Sequence, residues 1–238
     1  LRLPDTLDLP FSVKLDMLKI DAIQFTSVDE AYPENLISEL ALSLHSDGNH
    51  HRLTQLHGLT PWGEVRAHAQ LEGAAPFVLA GQIDVFGPAP WNTMHTVMSG
   101  NLEHMTINLI AEKPGANAKL NAHLRPFSAN PLTQLDVDAQ QLNPASFFPE
   151  APTASLTVAA HLATAGDERL AGTIHIHNSA ALPIDQKGLP FSSIHAHATM
   201  SHESAQLTDL HVEIGKDETL RGNLIWHWNA QSASALIH

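Results

Sequence analysis

Along most of this chain apolar and polar residues exchange places at every second position, the period of an extended strand whose side chains point alternately to opposite faces. Leu156, Val158, Ala160 and Leu162 share one face, and Thr157, Ala159, His161 and Ala163 share the other. The same reading applies to Ala118, Leu120, Ala122 and Leu124, to Ile174 with Ile176, and to Leu220, Leu224, Trp226 and Trp228. A first strand after the breakers Pro4 and Pro10 carries Phe11, Val13, Leu15 and Met17 on one face, with Ser12, Lys14, Asp16 and Leu18 on the other. Further strands are predicted at Leu40 to Leu44, Leu53 to Leu59, Val65 to Leu71, Phe77 to Val85 and Met105 to Ala111. Beyond Ala118 to Leu124 come Leu135 to Ala139, Leu156 to Leu162, Leu170 to Ile176, Ile194 to Ala198, Leu207 to Ile214 and Leu220 to Trp228.

Turn residues separate these runs and make a meander of hairpins. Ser46-Asp47-Gly48-Asn49, Pro61-Trp62-Gly63, Gly73 to Pro76, Gly87-Pro88-Ala89-Pro90, Lys113-Pro114-Gly115, Gly166-Asp167 and Gly215-Lys216-Asp217 mark its corners. The stretch from Glu34 to Leu44 also places Ile37, Leu40, Ala41 and Leu44 on a helical face, but its short length and its neighbours favour a strand. Asn143 is placed to cap a one-turn helix with Pro144 at its first position and Pro149 to stop it. The chain reads as one continuous unit over 1–238, with a soft sub-boundary near Pro126 to Pro131. Leu9-Pro10-Phe11-Ser12 recurs as Leu189-Pro190-Phe191-Ser192, and Leu79 to Ile83 echoes Leu220 to Leu224 with glycine in mid-strand. Such echoes without a fixed period suggest a quasi-repeating β architecture.

Hydrophobic residues make up 43% of the 238 residues and aromatics only 5%, so any buried surface is aliphatic. The formal charge of -13, from 12 Lys and Arg against 25 Asp and Glu, repels phosphate backbones and argues against nucleic acid as a partner. With no cysteine there is no disulfide framework to read. No run of 18 apolar residues is present, and the chain starts in mid-pattern at Leu1-Arg2-Leu3, which suggests a segment of a longer protein whose membrane anchor lies elsewhere.

Candidate chemistry is sparse. His175 with His177 and His195 with His197 have the spacing that puts two rings on one side of a strand, and His50-His51 adds a third pair. Their alternation with Ile174 and Ile176 sends His175 and His177 to the polar face, so no metal site and no cofactor is expected. No nucleophile elbow or phosphate loop occurs, Ser99-Gly100 and Ser204 read as turn residues, and the acid pairs Asp136 with Asp138 and Asp29 with Glu30 read as solvated charge. The chain is expected not to be an enzyme. Trp226 and Trp228 share a strand face and keep open a carbohydrate-binding or protein-binding β-sandwich as the alternative.

Small residues recur at inward positions, among them Ala67, Ala69, Ala118, Ala122, Ala160, Ala196 and Ala198. They either leave room for a ligand along a curled sheet or let two sheets pack closely. The run Leu59 to Gly73 with Pro76 to Gly81, the run Leu142 to Phe147, and Gly172 to Asn178 with Leu182 to Asp185 and Leu189 to Phe191 resemble the TamB and AsmA-like family. That resemblance implies an all-β fold with few or no helices: a long, twisted, mostly antiparallel sheet curled into an open hydrophobic groove, the β-taco. It further implies a periplasmic location in a parent anchored to the inner membrane, and phospholipid acyl chains as cargo. An outer-membrane barrel of TamA type and nascent outer-membrane β-strands would be the other partners. The family has no catalytic residues to carry over. The groove-lining candidates are Leu42 on one strand, Ala67, Ala69 and Leu71 on another, then Leu79 with Ile83, Ile107 with Leu109, Leu120 with Leu124, and Val137. Leu156, Val158 and Leu162 follow, then Ile174 with Ile176, Leu210 with Val212, and Leu224 with Trp226.

Overall fold

The computed structural model describes residues 2–25, 35–87, 91–147, 150–165, 169–201, 203–215, 218–228 and 232–237. The chain divides into two units, Leu1–Lys113 and Pro114–His238. The first holds β1 (Val13–Phe25), β2 (Asn35–Ser46), β3 (His50–Thr60), β4 (Gly63–Glu72), β5 (Val78–Phe86), β6 (Thr93–Asn101) and β7 (Met105–Lys113). The second holds β8 (Ala116–Leu124), β9 (Leu132–Leu142), β10 (Leu156–Ala165), β11 (Arg169–Asn178), β12 (Phe191–Met200), β13 (Ser204–Ile214), β14 (Glu218–His227) and β15 (Ser232–Ile237). Within each unit every strand pairs antiparallel with its neighbours in sequence, giving an open, curled antiparallel sheet. The helical content is two 3-10 turns, Pro144–Ser146 and Ile184–Gln186, among the described residues. No helix among these residues is long and apolar enough to cross a membrane.

Period decides these elements over propensity. β8 is built from Ala, Asn, Lys, Leu and His, residues that suit a helix at least as well as a strand, yet a helix would scatter Ala118, Leu120, Ala122 and Leu124 around its circumference. As a strand the segment gathers all four on one face. The stretch read as either helix or strand is β2, paired with β1 and β3 on its two sides. Asn143 caps the first 3-10 turn as expected, its side chain accepting a hydrogen bond from the Ala145 N–H. The predicted corners at Pro88 to Pro90, Gly166-Asp167 and Lys216-Asp217, the stop at Pro149 and the pair Asp29 with Glu30 lie outside the described residues.

Three features of the sheet depart from the sequence reading. β6 and β15 are strands that were not anticipated, because Thr93–Asn101 and Ser232–Ile237 offer mainly Thr, Ser, Met and Ala where a strand signal needs larger side chains. Ser99, Gly100 and Ser204 accordingly lie in β6 and β13, although Gly100 has a φ of 118° at the edge of the next turn. The alternation also slips by one residue at bulges, between Leu15 and Leu18, between Leu53 and Leu56, and between Leu207 and Leu210. The first of these turns Leu18 onto the apolar face in place of Met17, which is 52% exposed. Gln141 and Asp209 sit at bulges with φ of 54° and 49°, a left-handed conformation that costs a non-glycine residue about 1 kcal/mol. Each bulge inserts a residue without inverting the faces beyond it, so Ala139 and Leu142, three apart, both point inward.

Little of the chain is fully buried. Among the described residues the buried hydrophobic ones are Phe77, Leu162, Leu170 and seven alanines. The accessible surface is 15028 Å², whereas two separate compact bodies of half the 25.8 kDa mass would together expose about 12,600 Å². The densest packing joins Leu162, Leu170 and Ala198 to Leu132, Leu135, Ile174, Met200 and Leu207 in the second unit. Nearby connections are held by Asn178, 3% exposed, whose amide donates to the carbonyls of Leu189 and Phe191 and accepts from the N–H groups of Ser155 and Ala180.

Candidate functional site

Register turns the alternation into lanes. In the first unit Leu15, Leu44, Leu53, Ala69, Gly81, Met98 and Ile107 stand side by side across seven strands. Leu18, Leu42, Leu56, Ala67, Ile83, Thr96 and Leu109 form the next lane. Leu71 and Leu79 begin a third that runs to Gly100 and Met105. In the second unit one lane runs Ala118, Ala139, Val158, Ile176, Ile194, Val212 and Leu220. A second runs Ala122, Leu135, Leu162, Gly172, Ala198, Leu207 and Leu224, and between them lie Leu120, Val137, Ala160, Ile174 and Ala196. Strands lie about 4.8 Å apart, so a seven-strand lane is roughly 30 Å of mostly apolar surface, interrupted at Thr96 and at the glycines.

Every groove candidate falls on these apolar faces. Leu124 is paired with Leu132, Leu156 with Leu142, Leu210 with Gly222, and Trp226 with Ala205. All of the candidates are half-buried except Leu162, which is buried, and Trp226, which is 39% exposed. Half-burial is what a face made by lateral contact between neighbours shows when no second layer lies over it. Leu15, Leu18, Leu44, Leu53, Leu56, Met98, Ala139 and Leu207 belong to the same lanes and were missed as lining residues. Two apolar residues three apart inside a period-two run, as at Leu15 with Leu18 or Leu53 with Leu56, are the signal that marks a bulge and would have found them.

The opposite face is polar and laced with histidine–carboxylate contacts. His95 Nδ1 meets Asp84 Oδ1 at 2.6 Å, His57 Nε2 meets Glu64 Oε1 at 3.1 Å, and Arg66 donates to Glu64 at 2.7 Å. The His161 ring bonds to Asp136, which also accepts from Gln134 at 2.7 Å. These contacts favour the ionised carboxylates. The His95 bond holds Asp84 below the usual carboxylate range, and the His161 bond does the same for Asp136. Arg66, followed by His57, lowers Glu64, and the backbone N–H groups of His50 and Asn49 lower Asp47. His175 and His177 are exposed on this face, and the His175 and His195 rings lie 4.3 Å apart, with His211 next in register. No group of three or more His, Asp or Glu among the described residues is arranged to hold a metal ion.

The tryptophans divide. Trp226 ends the apolar face of β14, whereas Trp228 lies past the strand and donates from its indole N–H to the Ser201 carbonyl at 3.1 Å. Trp62 is 64% exposed in the turn between β3 and β4. Depressions among the described residues include two of about 610 and 470 Å³ on β3 to β6 and one of about 440 Å³ where Arg125, Ser128 and Asn130 meet Thr133 and Thr164. No protein-family model, curated protein or solved structure matches the chain.

Proposed function

We propose that this chain is a periplasmic β-groove segment of a TamB-like, AsmA-like envelope protein, and that its apolar face carries phospholipid acyl chains. The observation that carries the reading is the set of largely apolar lanes, most of whose larger side chains stay half-buried, on open sheets. Each acyl methylene moved from water onto such a face gains about 0.8 kcal/mol, and the headgroup stays in solvent at the open side. Binding of this kind needs no polar pocket and no catalytic group. In the parent protein the same surface would work beside an outer-membrane barrel of TamA type, and it would shelter nascent outer-membrane strands by the same apolar contact. A closed sandwich, whether protein- or carbohydrate-binding, would bury large side chains from two facing layers. Here Phe77, Leu162 and Leu170 are the only large hydrophobic side chains buried among the described residues.

The test is photo-crosslinking from paired positions. A photoreactive residue at Ile174 or Leu120 should capture phospholipid with a diazirine in its acyl chain, and one at His175 or Lys119, on the opposite face, should not. Native mass spectrometry should show co-purified lipid lost on delipidation. Equal capture from both faces, or no lipid in either experiment, would refute the reading.

A further inference from the structure

We propose that the polar face of the first unit carries a separate site for a small oxyanion, a carboxylate or phosphate group, seated over Ala80. Arg52, Gln70, Ala80 and Ser99 are register partners on four consecutive strands. Gln70 and Ser99 thus face each other across a single methyl group, about 10 Å apart at the backbone. His68, Gln82 and Val97 form the parallel row beside them. Together these residues border the 610 Å³ depression, a volume in the ordinary range for ligand sites.

Three donors border the depression without a partner among the described side chains. The Arg52 guanidinium, the Gln70 amide and the Ser99 hydroxyl make no side-chain hydrogen bond among the described residues. The Gln82 amide is different, since it already donates to Asp84 at 2.7 Å. Arg52 is the one lining residue with a fixed charge, in a chain whose formal charge is -13. The acids nearest in register, Glu72 diagonal to Arg52 on β4 and then Asp84 on β5, lie outside this lining; Glu72 makes no ion pair with Arg52, and Asp84 is occupied by His95 and Gln82. Arg66, by contrast, is paired with Glu64. Arg52 brings a planar fork of N–H groups to a hollow that Gln70 and Ser99 also border, and such a fork suits the oxygen pair of a carboxylate or phosphate. Leu53, Ala69, Gly81 and Met98, members of the first apolar lane, also belong to the lining.

Titration of the whole chain with inorganic phosphate and, separately, acetate tests this through the backbone amide shifts. Saturable changes are expected at residues 52–54, 68–70, 80–82 and 97–99, with affinity of about 1 mM. Arg52→Gln should weaken binding about tenfold, and Ala80→Leu, which fills the hollow, should abolish it. Whichever anion binds more tightly identifies the oxyanion. Absence of saturation, identical titrations for Arg52→Gln, or equal shifts around Arg125 and Arg221 would overturn the proposal. Arg52 is exposed, so its substitution leaves the fold intact and decides the matter even if Ala80→Leu fails to fold.

Discussion

The two units share one plan and differ in how they fill it. The second packs its inward face with small side chains, and Ala116, Ala122, Ala139, Ala196 and Ala198 are all buried there beside Leu162 and Leu170. The first uses longer side chains, among them Leu53, Leu56, Ile83 and Met98, and leaves them half-buried, with Phe77 and Ala111 its only fully buried hydrophobic residues among those described. Small residues therefore do not by themselves leave a vacancy. They let neighbouring strands and their few leucines close on one another, whereas the longer side chains stand up from the sheet and stay in reach of a ligand.

Truncation should separate the units most sharply. Leu162→Ala should cost about 3 kcal/mol, since it opens a cavity in the hydrophobic core cluster, and Ile83→Ala about 2 kcal/mol, since part of that side chain remains in contact with water. Equal costs in chemical denaturation would erase the distinction. Next in size, Asn178→Ala should cost about 2 kcal/mol, because it strips partners from two carbonyls and two N–H groups at a buried position. A slightly smaller loss is expected for Gly172→Ala, whose added Cβ would overlap the His161 carbonyl oxygen on the adjacent strand. Gly81→Ala makes the milder control, with its Cβ 3.2 Å from the mobile end of Met98.

The smallest effect concerns pH. Asp47, Glu64 and Asp84 in the first unit and Asp136 in the second are all held below the ordinary carboxylate range. A group with a depressed folded-state pKa stabilises above its unfolded value, near 4, and loses that contribution as pH falls through the folded value. Stability should therefore hold from pH 7 to about 5 and decline below about 4, more in the first unit than in the second. Asp84→Asn should flatten that decline in thermal melts at pH 7 and pH 3. An unchanged slope would remove the polar-face pairs from the account.

Much of this sheet is legible in the sequence, because period-two alternation survives even in segments such as β8 whose residues favour helix. Faces were readable wherever the alternation ran unbroken, as through Leu156 to Leu162. They were misread where a bulge shifted the phase, as at Met17 and Leu18, because the inserted residue is recorded only in the pairing of two strands. β6 escaped notice for another reason. Its inward Met94, Thr96 and Met98 are shaped by neighbours on β5 and β7 and carry a weak signal alone. The polar hollow over Ala80 was equally invisible, since it takes four strands in register to assemble it.

Pairing each strand with its predecessor also has a kinetic meaning. Contacts in either unit join segments a few residues beyond a turn, so loop closure is brief and no late event must bring distant strands together. Each new hairpin finds its template already formed, and growth can proceed one strand at a time in the order in which the chain is delivered. Interrupting the series in mid-sheet, as a proline in β5 or β11 would, should leave the earlier strands folded and strand the later ones.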